Sequence, residues 1–123
     1  MKKTLQLLLA TACYIYIAFP SMAEVAEDDF IIMENATVQI MNKAAGRTHT
    51  LTIPLNKKTR FDKMEITVRR CMGMNEFLPE NYHMFIEVSK SGNRIFSGWM
   101  NRNEPGANPL SDADHDLWLV RCE

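Results

Sequence analysis

From residue 37 onward, apolar side chains recur at every second position, the spacing of half-buried strands rather than helices. Residues 37–42 set Val38 and Ile40 on one face and Thr37, Gln39 and Met41 on the other. Lys43, Ala44, Ala45 and Gly46 then make a turn, with Gly46 free to adopt the left-handed conformation. Residues 48–54 resume the alternation, Thr48, Thr50 and Thr52 against His49, Leu51 and Ile53, which predicts a hairpin. Pro54 has no N–H to give a ladder, so it ends that strand or confines it to an edge.

Residues 55–63 read as a basic connector in which Phe61 plugs the core. In 64–71, Met64, Ile66 and Val68 oppose Glu65, Thr67, Arg69 and Cys71. Gly73, Pro79 and Asn81 mark 72–81 as a loop. Residues 82–89 and 94–100 form a second hairpin around the Lys90–Ser91–Gly92–Asn93 turn. Within it Gly98 marks a bulge or a close backbone approach. A long polar loop, 101–115, leads to a closing strand, 117–122, with Trp118, Val120 and Cys122 on one face. Six strands at short spacing, with no long amphipathic helix, predict an all-β, single-domain antiparallel sandwich or small barrel. Phe61, Phe85, Phe96, Trp99 and Trp118 are expected to fill its middle or cap its ends.

The N-terminus follows a different pattern. Lys2 and Lys3 precede an apolar run from Leu5 to Phe19, and Pro20–Ser21–Met22–Ala23 supplies a breaker and small residues. That is a secretory signal peptide, residues 1–23, with cleavage after Ala23. The run falls short of the roughly 20 apolar residues a spanning helix needs. A lipoprotein site at Cys13 is disfavoured because the apolar run continues beyond it. Residues 24–35 form an acidic, flexible leader whose Phe30–Ile31–Ile32–Met33 cluster has the alternative of packing as an edge strand. The β domain is then 36–123.

Export changes how charge and cysteine are read. Without Lys2 and Lys3, twelve basic side chains face fifteen acidic ones, and no basic stripe remains to bind nucleic acid. No membrane span survives cleavage. Cys71 and Cys122 are the two cysteines left, an even number in an oxidising compartment, and are expected to pair. The competing readings are two separate thiols or a cysteine catalyst, and the catalyst would need a His-bearing electropositive setting, of which Arg69 and Arg70 supply only the charge.

Few residues carry chemistry. Asp112, Asp114 and Asp116 alternate around His115 like the opening of a calcium loop, yet Leu117 stands where that loop needs glycine, so a solvated acidic loop is the better reading. His49, His83 and His115 lack ligand spacing. Ser97 lacks the flanking glycines of a nucleophile elbow. No cofactor motif is present. The two tryptophans are core residues or, if exposed beside the 101–115 loop, binding anchors.

Several elements combine in one signature: Met64–Glu65–Ile66–Thr67–Val68–Arg69 with Cys71, Phe96–Ser97–Gly98–Trp99–Met100, Pro105, Leu110, and Asp116–Leu117–Trp118–Leu119 with Cys122. Over residues 36 to 122 the chain resembles the domain of unknown function 2155 family, small exported proteins mostly of alphaproteobacteria. The resemblance implies a Gram-negative periplasmic location and makes Cys71 and Cys122 the family's paired positions, but it brings no established activity. Residues 111–115 depart from the family pattern and only Asp116 of the acidic cluster belongs to it, so no role for His115 carries over.

These readings lead to one expectation: a non-enzymatic, cofactor-free binding module of the cell envelope. Its partner is an envelope protein or other envelope component. The candidate surface is Trp99, Arg102, Asp112, Asp114, His115, Asp116 and Trp118. The alternatives are a metal-dependent hydrolase built on 112–116 and a structural subunit of an envelope complex.

Overall fold

Residues 29–123 are described by the structure, a computed structural model, and they form eight strands with no α-helix. The signal-peptide reading of 1–23 and residues 24–28 of the acidic leader lie outside the described residues. The strands are β1 (Phe30–Met33), β2 (Asn35–Asn42), β3 (Arg47–Pro54), β4 (Thr59–Phe61), β5 (Met64–Met74), β6 (Tyr82–Lys90), β7 (Asn93–Asn101) and β8 (His115–Cys122). Two antiparallel sheets result. In the larger, β1 and β4 both pair with β5, followed by β6 and β7; the smaller runs β3-β2-β8. The all-β expectation holds, with a sandwich as the architecture.

The six strands read from alternation are all present, and the two added ones are short. Of the two readings of Phe30–Met33, the structure takes the edge strand: β1 pairs with the end of β5. β4, which the sequence hides in a basic connector, pairs with the start of β5 on the same edge. Both hairpin turns fall where their residues place them. Gly46 has φ 65°, and Ser91 and Gly92 have φ 53° and 79°, the two left-handed residues that a tight hairpin turn requires.

The core is aliphatic and sulfur-rich. Val38, Ile40, Ile53, Leu117 and Leu119 from the smaller sheet meet Met64, Ile66, Val68, Met84, Ile86 and Val88 from the larger. The aromatic residues do not fill it. Phe61 and Phe96 are half-buried at its border, Phe85 and Trp99 stack edge to face at 5.4 Å on the outside of the larger sheet, and Trp118 lies on the outside of the smaller. Short β-branched and Met side chains already close the gap between the sheets, so bulky rings are left to the outer faces.

Cys71 and Cys122 form a disulfide that joins β5 of one sheet to β8 of the other, with Cα atoms 5.6 Å apart. Strict alternation would not put either sulfur inside. In β5 it places Cys71 opposite to Met64, Ile66 and Val68, and in β8 it places Cys122 opposite to Leu117 and Leu119. Each strand corrects this with an irregularity just before its cysteine. The β5–β6 register slips between Val68 and Arg70, and the β2–β8 register slips where Thr37 faces Arg121 and Val38 faces Leu119. One extra residue on the bulged strand reverses the facing of everything beyond it. Both half-cystines thereby turn inward and are buried. The expected sharing of one face by Trp118, Val120 and Cys122 fails for the same reason.

The bridge closes a sequence separation of 51 residues, for which the chain-entropy model gives about 4 kcal/mol. Cys122→Ser with Cys71→Ser should lower stability in urea unfolding by about 2–4 kcal/mol. Intact mass after alkylation without reductant should show no modified cysteine at 71 or 122 in the wild-type protein.

Candidate functional site

The loop between β7 and β8 is fastened rather than free. Leu110, its one long aliphatic side chain, is buried in the core cluster. The Asn108 amide donates to the Trp99 carbonyl at 2.9 Å, and a Cβ on Gly98 would lie 3.0 Å from that amide nitrogen. Gly98 thus marks a close approach, while the bulge of this hairpin sits at Val88–Ser89. Nearer β7, Asn103 donates through its side chain to the Glu80 carbonyl at 2.9 Å, and Arg102 N–H bonds the Tyr82 carbonyl at 3.0 Å. Arg102 also covers the Tyr82 ring and pairs with Glu80, which directs it away from the acidic cluster.

At the other end of the loop the acidic cluster divides. His115 opens β8 on the inward face and is 1% exposed. Its Nδ1 faces Asp112 Oδ2 and its Nε2 faces Asp62 Oδ2, both at 3.2 Å. Both contacts are hydrogen bonds when the ring carries a proton on each nitrogen. Asp112 also accepts the His115 backbone N–H at 3.1 Å and Lys90 Nζ at 3.0 Å. Lys90 in turn holds Asp114 at 2.6 Å, and Lys43 pairs with Asp116 at 3.3 Å. The cluster is therefore a clamp tying the β4–β5 turn, the end of β6 and the start of β8. The solvated acidic loop fits only Asp114, Asp116 and their neighbours. Asp62, in a left-handed turn with φ 53°, escaped the sequence reading because nothing in the chain relates position 62 to 115.

The electrostatics follow from these contacts. Burial pushes the Asp112 carboxyl up, but hydrogen bonds from Lys90 and His115 outweigh it and hold it below its ordinary value. The Lys90 hydrogen bond does the same for Asp114, and the hydrogen bonds to Asp114 and Asp112 hold Lys90 above its ordinary value. Among the described residues no group of three or more His, Cys, Asp or Glu side chains is arranged to hold a metal ion.

The two tryptophans do not converge. Trp99, 43% exposed, faces outward from the larger sheet, whereas Trp118 faces outward from the smaller and donates its indole N–H to Gln39 at 3.0 Å. The structure gathers a different set around Trp118. Pro105, Pro109 and Leu110 from the loop and Asp116, Leu117 and Trp118 from β8 line a groove of about 310 Å³. Leu117 points inward and Trp118 outward, so a groove touching both must run along the edge of the strand. Sequence reasoning put Trp118 and Asp116 on the candidate surface but noted Pro105 and Leu110 only as signature positions; the sign that Leu110 is buried was its isolation as an aliphatic residue in a polar stretch.

Fold and site define a disulfide-tied β-sandwich with a roofed groove at one sheet edge. Residues 36–122 match the domain of unknown function 2155 family, described as an uncharacterized protein conserved in bacteria, and the chain belongs to that family. No curated protein and no solved structure matches it. Among the described residues no helix is long and apolar enough to cross a membrane.

The clamp sets a pH dependence. Asp112 and Asp114 titrate lower in the folded chain than their ordinary 3.8, so their contribution is full above that value and is lost as pH falls through the folded values. Lys90 has the opposite sign, its contribution being full below 10.5 and lost as pH rises past the folded value. Asp112→Asn should cost about 1.5–3 kcal/mol in urea unfolding at pH 7. That difference should shrink as pH falls below 3.8 and through the lowered folded value.

Proposed function

We propose that this protein is an exported periplasmic domain that binds, without catalysis, an envelope protein or other envelope component through the groove beside Trp118. The observation that carries this reading is the groove itself, an apolar channel roofed by a loop that the core and β7 both hold in place. Apolar walls around a few polar groups are the usual make-up of a recognition site. Export draws support from Lys2, Lys3 and the apolar run ending at Ala23, and from a disulfide, which persists in oxidising compartments.

The hydrolase alternative has less behind it. Asp112 and His115, its best candidates, spend their polar atoms on Lys90, Asp62 and each other. A general base must reach a substrate proton, and a 1% exposed imidazole bonded at both nitrogens is poorly placed to do so.

Leu110 belongs to the core, so replacing the whole loop would confuse binding with folding. Trp118→Glu and a Pro105→Asp, Pro109→Asp double variant change the groove wall and leave Leu110 in place. Each should reduce recovery of wild-type partners from envelope extract by about tenfold, with thermal melting unchanged within a few degrees. Equal recovery by all three proteins would remove the groove from consideration. Fractionation with N-terminal sequencing should find the mature chain in the periplasm beginning at Glu24.

A further inference from the structure

The groove lies where the sandwich is one strand short. Beyond the disulfide-bearing pair, the larger sheet continues through β6 to β7, whereas the smaller ends at β8. β8 packs mainly across from β6, with lesser contact to β5 and to β7. The place beside β8 and opposite β7 therefore holds no strand, and Leu110 with its flanking loop occupies part of it.

The hydrogen-bond phase of β8 shows what this edge offers. Lys43 N–H bonds the Asp114 carbonyl at 2.9 Å, and antiparallel pairs alternate from that point. Asp116 and Trp118 consequently exchange bonds with Met41 and Gln39, their register partners. Leu117 and Leu119 turn their N–H and C=O groups the other way. The equivalent outward N–H of His115 is taken by Asp112, but no hydrogen bond to the outward groups of Leu117 or Leu119 occurs among the described residues. At about 310 Å³ the groove is at the bottom of the roughly 300–1,000 Å³ range of small-molecule sites, and its β8 wall is Asp116, Leu117 and Trp118.

We propose that the β8 edge is a strand-addition site for an extended segment of another protein, one with an apolar side chain flanked by Lys or Arg. The segment pairs with Leu117 and Leu119 through its backbone and places the apolar side chain between Leu110, Pro109 and Trp118. Charge complementarity selects the cationic flanks. Asp116 lines the groove and Glu104 directly precedes its wall residue Pro105; Asp116 is paired with Lys43, and Asp112 and Asp114 share the one ammonium of Lys90, so these four carboxylates outnumber the two ammonium groups by two. The same charge disfavours the chain's own acidic stretch with Glu24, Glu27, Asp28 and Asp29. This deepens the binding reading above and rests on it.

The test uses the full disulfide-bonded protein and a peptide of about eight residues that alternates leucine and threonine between terminal lysines, roughly the length of β8. Amide hydrogen exchange read by NMR should slow at least tenfold at Leu117 and Leu119 when the peptide saturates. A peptide N-methylated along one edge should produce no slowing, and glutamate ends should weaken binding by about two- to fivefold, the scale of exposed ion pairs. The proposal is overturned if neither amide slows, or if the N-methylated peptide slows them equally. It is also overturned if they slow with rising protein concentration alone, which would assign the edge to a second copy of this chain. Loss of partners by the groove variants with no slowing at Leu117 and Leu119 would sink strand addition but keep the groove as the binding site. Partner recovery that ignores the groove variants would sink both.

Discussion

A single cross-link between sheets governs the geometry of this domain. Cys71 and Cys122 meet inside the sandwich only because β5 and β8 each break their alternation immediately before the cysteine. A bulge costs a regular ladder contact and exposes a side chain, here Arg69 and Arg121. The return is a covalent tie worth about as much as two fully buried aliphatic side chains. In a domain of this size total stability is on the order of 5–15 kcal/mol, so the trade is decisive. The bridge also fixes β8, the last strand, against β5. Within its own sheet β8 is paired with β2 alone, so the bridge supplies its one covalent hold on the opposite sheet.

At the opposite end of β8 the same strand is fixed by charge. His115 is held between Asp112 and Asp62, and Lys90 spans Asp112 and Asp114. A partly buried polar cluster of this kind contributes little net stability once desolvation is counted, but removing Asp112, its most enclosed carboxylate, is costly because it strands Lys90 and His115. Its effect is to specify position. With a disulfide at one terminus and a polar clamp at the other, β8 has little freedom to slide, and the loop entering it is set at a fixed height above its edge.

The strands were legible because period-two patterning needs only local sequence, and this chain keeps it faithfully in β2, β3 and β6. The bulges were not. Nothing in Val68–Arg69–Arg70–Cys71 or Val120–Arg121–Cys122 announces an extra residue, and only the need to bring two sulfurs together reveals it. The aromatic residues misled for a related reason. Large rings imply burial on average, yet Val38, Ile40, Ile66, Ile86 and Val88 already fill the space between the sheets, leaving Trp99 and Trp118 on opposite outer faces. The acidic run around His115 could be noticed in sequence but not interpreted, since its partners Asp62 and Lys90 come from distant turns.

The sheet edges differ in how they are guarded. The free side of β5 is covered by two short strands, β1 and β4, with Asn56 N–H bonding the Val68 carbonyl at 2.8 Å between them. β7 has its Trp99 carbonyl capped by Asn108. β3 is open, but it carries Arg47, exposed threonines and a terminal Pro54, the polar and proline devices that discourage pairing. Among the described residues, β8 leaves the outward backbone groups of Leu117 and Leu119 without a hydrogen bond, with an apolar groove beside Leu117. Proline and charge would have closed this edge as cheaply as they closed β3. Instead Pro105 and Pro109 line the groove beside it, as a wall that makes no backbone hydrogen bond to the strand.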